Sequence, residues 1–366
     1  MYIKEKKLED IVEQIKSHVG QNPALISVAE HAEIDVDLLV QCLNEKGVEF
    51  IGGVFPKIIH QTQVYDQGLV VNTLQNTEKL GLIKNISQKD FDIPSFEFNH
   101  EKQYTFITYV DGLTSNISNY LNSIYNIYGM QTHYFGGGAG SLSLEQKPCV
   151  FNKEGVYQDA AVYAMVSMNC SIGVNHGWEK IEGPFIVTSA EGNIIKELNW
   201  QNPFEVYKDV VEEHSNQKFS EDNFFDIAKG YPFGIVKDNS KSIVVRDPLM
   251  VNDQNELVCV GELENNMLVN ILNGDNQSLI HAAKLACEES ASHIKKPHKA
   301  IVINCISRVL FLEDEFGKEL NIIHKTLQEN HPNISVCGAL TLGEISSSGQ
   351  GFLEFYNKTV VVGLFE

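Results

Sequence analysis

Tyr134-Phe135-Gly136-Gly137-Gly138-Ala139-Gly140-Ser141 is a glycine run that directly follows a short apolar strand, and its reading decides the fold. Glycine has no Cβ, so such a run can take positive φ and lets another group approach the main chain closely. A phosphate cradle would need a helix starting directly after the glycines, with a lysine in its nucleotide-triphosphate form. Here Ser141-Leu142-Ser143-Leu144 alternates polar and apolar, Lys147-Pro148 breaks the chain, and Val150-Phe151 resumes as strand. The stretch reads as strand, glycine turn, hairpin.

Two further copies exist, Glu49-Phe50-Ile51-Gly52-Gly53-Val54 and Ser335-Val336-Cys337-Gly338-Ala339-Leu340. Each closes a similar unit. Ala24 to Val28, Tyr104 to Val110 and Ala300 to Asn304 are short apolar runs that fit strands buried on both faces. Helical segments follow: Ile34 to Lys46, then Ile117, Leu121, Ile124 and Tyr128, then Phe316, Leu320, Ile323 and Leu327, whose offsets of three and four share one face. Strand, helix, strand in about thirty residues is a βαβ unit with parallel strands. After each glycine pair comes a hairpin-like segment with an aromatic residue, a polar turn and an apolar strand: Gln63 to Val71, Val150 to Tyr157 and Leu353 to Val362. Three matches in one order indicate internal duplication. The expected fold is α/β: two related domains built from repeated strand-helix-strand-hairpin units with mixed sheets.

The 366 residues are 43% apolar and 21% charged, enough for about two domains. A formal charge of −20 repels a nucleic-acid backbone, and the longest basic cluster, Ile294 to Lys299, does not offset it. The start lacks an apolar leader, and no run approaches the about eighteen apolar residues that a membrane helix needs. A cytoplasmic protein without nucleic-acid or membrane partners is expected. The seven cysteines are scattered without C-x-x-C spacing, which predicts buried reduced thiols rather than disulfides or a zinc site.

Residues 1–20 form an amphipathic helix with Leu8, Ile11, Ile15 and Val19 in phase, and Asn85 to Glu101 is a connector. Asn202-Pro203-Phe204-Glu205 is a helix start, with a cap, a proline at the first position and a glutamate three residues after the cap. Ser215 to Asp222 is the linker, so that domains of 21–215 and 216–366 are expected. The second opens with Phe224 to Ile235, continues as a strand pair, Ser242 to Arg246 with Glu256 to Val260, and then a helix over Asn276 to Ile294.

No nucleophile elbow, H-E-x-x-H or lysine after a glycine loop is present, which argues against catalysis without excluding it. His176, just past a strand and beside Trp178, is the first histidine to test as a ligand contact. Arg246 interrupts an apolar strand, and a buried guanidinium needs an anionic partner. That partner is either a ligand carboxylate, held by paired hydrogen bonds, or an internal acid such as Asp247 or Glu344. Glu344, after the third glycine turn and before Ser346-Ser347-Ser348-Gly349, could receive a ligand ammonium, giving with Arg246 the two charges that an α-amino acid requires. Gly136, Gly137 and Gly138 would supply backbone N–H groups, and Ser346 a hydroxyl.

Four blocks carry a family resemblance: YFGGGAGSLSLEQKPCVFNKEGVYQDAAV, SIGVNHGWEKIEGPFIVTSAEGNIIKELNW, SIVVRDPL and CGALTLGEISSSGQGFLEFYNKTVVVGLF. Together they resemble the paired FIST N-terminal and C-terminal domains over nearly the whole chain after residue 20. The resemblance implies a sensory module for a small ligand such as an amino acid. It also implies signalling through a partner such as a histidine kinase or cyclase, here as a separate protein because no such segment is attached. Some related stand-alone proteins bind haem and sense nitric oxide, which would make His176 an axial ligand. An enzyme acting on a small metabolite is the reading from a different class.

Overall fold

A computed structural model of the chain describes residues 1–220, 222–236, 243–347 and 353–366. Glu221 of the expected linker, Ser242 of the expected strand pair and Ser348-Gly349 of the expected loop lie outside the described residues. Each predicted βαβ unit is present. Strands Ala24–Ala29 and Phe50–Phe55, Tyr104–Asp111 and Thr132–Ala139, and Lys299–Cys305 and Ser335–Thr341 run parallel in pairs. Their helices are Val36–Glu45, Ile117–Tyr128 and Phe316–Asn330. Asp35 caps the first by accepting from the Leu38 amide. Leu8–Val19 is helical with Ile11, Ile15 and Val19 buried, and Asn202 caps Pro203–Ser215 as its sequence predicts.

Among the described residues the strands form three six-stranded mixed sheets and a closed six-stranded barrel. The α/β architecture of repeated units with mixed sheets is therefore present. The sheets are not self-contained. The first unit's hairpin, Lys57–His60 with Gln63–Tyr65, leaves its own sheet and pairs with Ser335–Thr341 of the third. The second unit's hairpin, Val150–Asn152 with Gly155–Tyr157, pairs with Phe50–Phe55 of the first. The third unit's hairpin, Glu344–Ser347 with Leu353–Tyr356, pairs with Thr132–Ala139 of the second. The exchange is cyclic, and each unit completes another's sheet.

One face of every sheet turns inward to a shared core, where Leu25, Phe55, Ile107, Phe135, Ile301, Ile303 and Phe365 pack together. The outer faces are covered by helices, as Leu39 and Leu43 on the first sheet, Tyr120 and Ile124 on the second, and Leu320 and Ile323 on the third. The barrel is inserted between strand Cys170–Asn175 and helix Asn276–Ser292, both of the third unit. Its strands are Glu179–Glu191, Ile194–Leu198, Phe233–Val236, Val244–Val251, Leu257–Val260 and Leu268–Asn273.

The glycine run corrects the expected turn. Gly136, Gly137 and Gly138 lie inside the extended strand Thr132–Ala139, and Gly52, Gly53 and Gly338 lie inside theirs. Gly52, Gly136 and Gly338 hold one register: each faces the parallel neighbour, at Ile26, Thr108 and Val302, on one side and the exchanged hairpin, at Phe151, Ile345 and Ile59, on the other. A Cβ on Gly136 would stand 1.8 Å from the Thr108 carbonyl oxygen, and one on Gly338 1.8 Å from that of Val302. On Gly52 it would meet the Phe151 ring at 2.2 Å. Ser141 to Leu144 is not a strand either; Ser141 and Ser143 bond one another in an irregular connection.

Gly136→Ala and Gly338→Ala should each destabilise the chain by about 3 kcal/mol or more, the upper end for overpacking, because the obstacle is backbone. Gly317→Ala, in a helix with nothing within 4 Å of its Cβ, should leave stability unchanged or slightly raised. Urea unfolding of the three variants measures both.

Candidate functional site

The common register lets the three units be compared position by position. Two residues beyond Ile26, Thr108 and Val302 stand Val28, Val110 and Asn304. The glycine strands end on Phe55, Ala139 and Thr341. The first hairpin strands place Val150, Glu344 and Ile58 opposite Gly53, Gly137 and Ala339. At all three places the third unit is polar where the others are apolar. These residues sit at the carboxyl ends of the third unit's parallel strands, where α/β folds generally form ligand sites. The same end receives side chains of the inserted barrel.

Glu344 is fully buried in strand Glu344–Ser347, not in a loop. Its Oε1 accepts from Thr341 Oγ1 at 3.0 Å and its Oε2 from the Thr359 amide at 3.2 Å. Burial nevertheless dominates and pushes its carboxyl up to about 8. Glu344 is therefore mostly neutral at neutral pH, and it makes a poor receptor for a ligand ammonium. The adjoining Cys305 thiol is pushed up by burial first and by Glu344 second.

Barrel and third unit are joined by an ion pair sealed from solvent, Lys358 Nζ to Asp247 Oδ2 at 3.1 Å. Burial raises the Asp247 carboxyl against the pull of Lys358. Lys358 also donates to the Lys229 carbonyl at 2.9 Å and lies 5.1 Å from the centre of the Trp178 ring, a cation–π contact. Its own backbone has φ 53°, rare for a side chain with a Cβ.

Arg308, at the start of helix Ile306–Leu312, organises the surroundings. Its Nε and Nη2 form a fork on Glu319, at 3.2 and 2.6 Å, with both residues fully buried. Nη1 reaches the carbonyls of His176 and Lys358, and Nη2 that of Leu279. All five guanidinium N–H groups have acceptors. Asn304 Nδ2 donates to the same Glu319 at 2.7 Å.

The expected site residues divide. Arg246, Trp178, His176 and Glu344 all belong to the junction between barrel and third unit. Trp178 is buried, donates from Nε1 to the Lys358 carbonyl at 3.3 Å and packs edge-on against Phe311. Arg246 is buried, yet its acceptors are the carbonyls of Glu262, Val245 and Phe355 and the Asn357 amide oxygen. Neither Asp247 nor Glu344 is its counter-ion: Asp247 pairs with Lys358, and Glu344 bonds to Thr341 and Thr359. Ser346 is fully buried and its Oγ makes no hydrogen bond among the described residues. Gly136 to Gly138 spend their backbone in the sheets, with the Gly138 amide on the Gly343 carbonyl at 2.8 Å. Lys358, Arg308, Glu319 and Asn357 were not singled out by sequence; alignment of the three units by register would have marked Asn304 and Thr341.

His176 does not fit an axial haem ligand. Its Nδ1 accepts the Trp178 amide at 2.9 Å, so the neutral ring carries its proton on Nε2 and offers no lone pair there. Burial and then Arg308 lower it to about 4, which keeps the ring neutral. Among the described residues, no group of three or more His, Cys, Asp or Glu is placed to hold a metal ion.

Lys358→Met leaves Asp247 buried without its partner and should cost about 3–5 kcal/mol, of which Lys358→Met with Asp247→Leu should recover a large part. A double-mutant urea series measures this. The raised Glu344 carboxyl makes stability fall as pH rises from its usual 4.5 to about 8, since the unfolded chain releases that proton first. Glu344→Gln should flatten that part of the profile and be the more stable form at the alkaline end, read as urea midpoints across the range.

Family models match the chain in two consecutive segments, a FIST N domain over residues 24–201 and a FIST C domain over residues 203–347. Comparison with curated proteins returns no match. Among the described residues no helix is long and apolar enough to cross a membrane. By its paired N and C domains, this chain belongs to the FIST family.

Proposed function

We propose that the protein is a cytoplasmic sensory module that binds a small metabolite at the junction of barrel and third unit and signals through a separate partner protein. One observation carries this reading. The third unit alone places Asn304, Thr341 and Glu344 at buried strand ends where the other two copies hold apolar residues, and the barrel docks on that end. Buried polar groups lower stability unless they are satisfied, so a fold that needed only packing would have kept the apolar residues of its other copies.

The Asp247–Lys358 pair supplies a means of transmission. It links barrel to unit through one contact whose strength depends on water exclusion. A ligand bound beside it favours one arrangement of the two bodies by its difference in affinity for them, and only by that difference. The partner reads the arrangement. A haem-based reading is disfavoured by the His176 tautomer.

The test is a thermal-shift screen with amino acids, small carboxylates, nucleotides and haem. One ligand should raise the melting temperature saturably, by a stabilisation of about 2.7 kcal/mol at a hundred times its Kd, and emerge chemically unchanged. Turnover of any of these compounds would replace the sensor with an enzyme, and a flat response to all of them would overturn the ligand site.

A further inference from the structure

We propose that Arg246 and Asn357 form a carboxylate clamp, so that the ligand of the junction site is a small organic acid held by its anionic end. The inference rests on the junction being a ligand site and adds the chemistry of what enters it. Arg246 comes from barrel strand Val244–Val251 and is only 5% exposed. Its hydrogen bonds all end on uncharged oxygens: Nε on the Glu262 carbonyl at 3.0 Å, and Nη1 on the carbonyls of Val245 at 3.1 Å and Phe355 at 3.0 Å and on Asn357 Oδ1 at 3.4 Å. Nη2 donates to no oxygen among the described residues. A buried guanidinium without a bonded carboxylate is an unusual arrangement, because carbonyl dipoles do not neutralise its charge.

Asn357 supplies an independent observation. It is 1% exposed, and its Nδ2 has no acceptor among the described residues. The bond from Arg246 Nη1 to Oδ1 fixes which way the amide faces, so the side chain that accepts from the guanidinium carries an unused donor of its own. A guanidinium N–H and an amide N–H brought to bear together would match the two oxygens of a carboxylate. Gly261 shapes the place: with φ 80° it lies against the guanidinium, and a Cβ there would stand 2.8 Å from Nε. Charge balance agrees. Asp247 is committed to Lys358, and Glu344 is sealed among Thr341, Thr359 and Cys305. Glu262 and Glu354 favour the cation through space, while the Glu262 carboxylate accepts the Asn116 amide.

Calorimetric titration of the full chain with L-amino acids and with amine-free carboxylic acids, each beside its primary amide, tests the clamp. The acid should bind at least about 100-fold more tightly than its amide, a difference of about 2.7 kcal/mol. Asn357→Asp places an internal carboxylate against Arg246, so it should raise the melting temperature and abolish binding together. Arg246→Lys should weaken binding at least about tenfold with the fold retained. Equal binding of acid and amide, or undiminished binding by Asn357→Asp, overturns the clamp and leaves the ligand site standing. If no acid binds but another compound of the thermal-shift screen does, the clamp alone fails; if nothing binds, both fail. Preference between amino acids and amine-free acids then shows whether an ammonium is also read.

Discussion

The structure depends on how closely neighbouring strands can approach a glycine. At Gly52, Gly136 and Gly338 the parallel neighbour lies on one side and another unit's hairpin on the other. At Gly136 and Gly338 the neighbouring carbonyl leaves no room for a Cβ, and at Gly52 the obstacle is the ring of the borrowed Phe151. The same glycine register recurs three times, and at each one an exchanged hairpin flanks the strand on the side away from its parallel neighbour. The inward faces then meet in one core to which every unit contributes. No unit can complete its sheet alone, so the contacts that hold the molecule together are mostly long-range and should form late in folding.

Duplication also explains why the candidate site occurs once. Three copies of one architecture offer three sets of strand ends, and apolar residues close two of them at the positions that Asn304, Thr341 and Glu344 occupy in the third. The second unit carries its own polar network around Asp111 and Asp159, but donors from Ser87, Leu113, Thr114, Gln146 and the Asp159 amide satisfy it. In the third unit satisfaction is uneven. Arg308 is completely bonded and holds two helices and two turns in place, whereas Asn304 Oδ1, Ser346 Oγ and Asn357 Nδ2 have no partner among the described residues. A rigid, fully bonded frame beside unbonded polar atoms is what preorganised binding requires.

Electrostatics at the junction follow from water exclusion more than from pairing. Burial neutralises Glu344 despite two hydrogen bonds, and it raises Asp247 despite a lysine at 3.1 Å. Beyond the two ion pairs, Arg246 is a further buried cation, favoured through space by Glu354 and Glu262. An acidic chain of net charge −20 thus keeps a buried cation at the place where barrel and unit meet. The field of that cation is least screened there, so the proposed recognition of an anion would be local and would not require a basic surface.

Much was legible in the sequence because local rules decide it. The three βαβ units, their helical faces from Ile117 to Tyr128 and Phe316 to Leu327 and the Asn202 cap follow from periodicity and residue type over short spans, and four sequence blocks carry the family resemblance. Arg246 stood out because a cation inside an apolar strand violates that pattern. What the sequence could not give was which sheet each hairpin joins, since Val150 and Glu344 pair with strands about a hundred and two hundred residues away, by a register no local signal encodes. For the same reason the glycines were read as turns: only the approach of the Thr108 carbonyl shows that they are strand. The partners of Lys358, Arg308 and Asn357 likewise come from distant segments, and their burial is a property of the closed fold. Sequence determined the repeats and the residue types available; tertiary structure decided which charges lost their water and which were left without a partner.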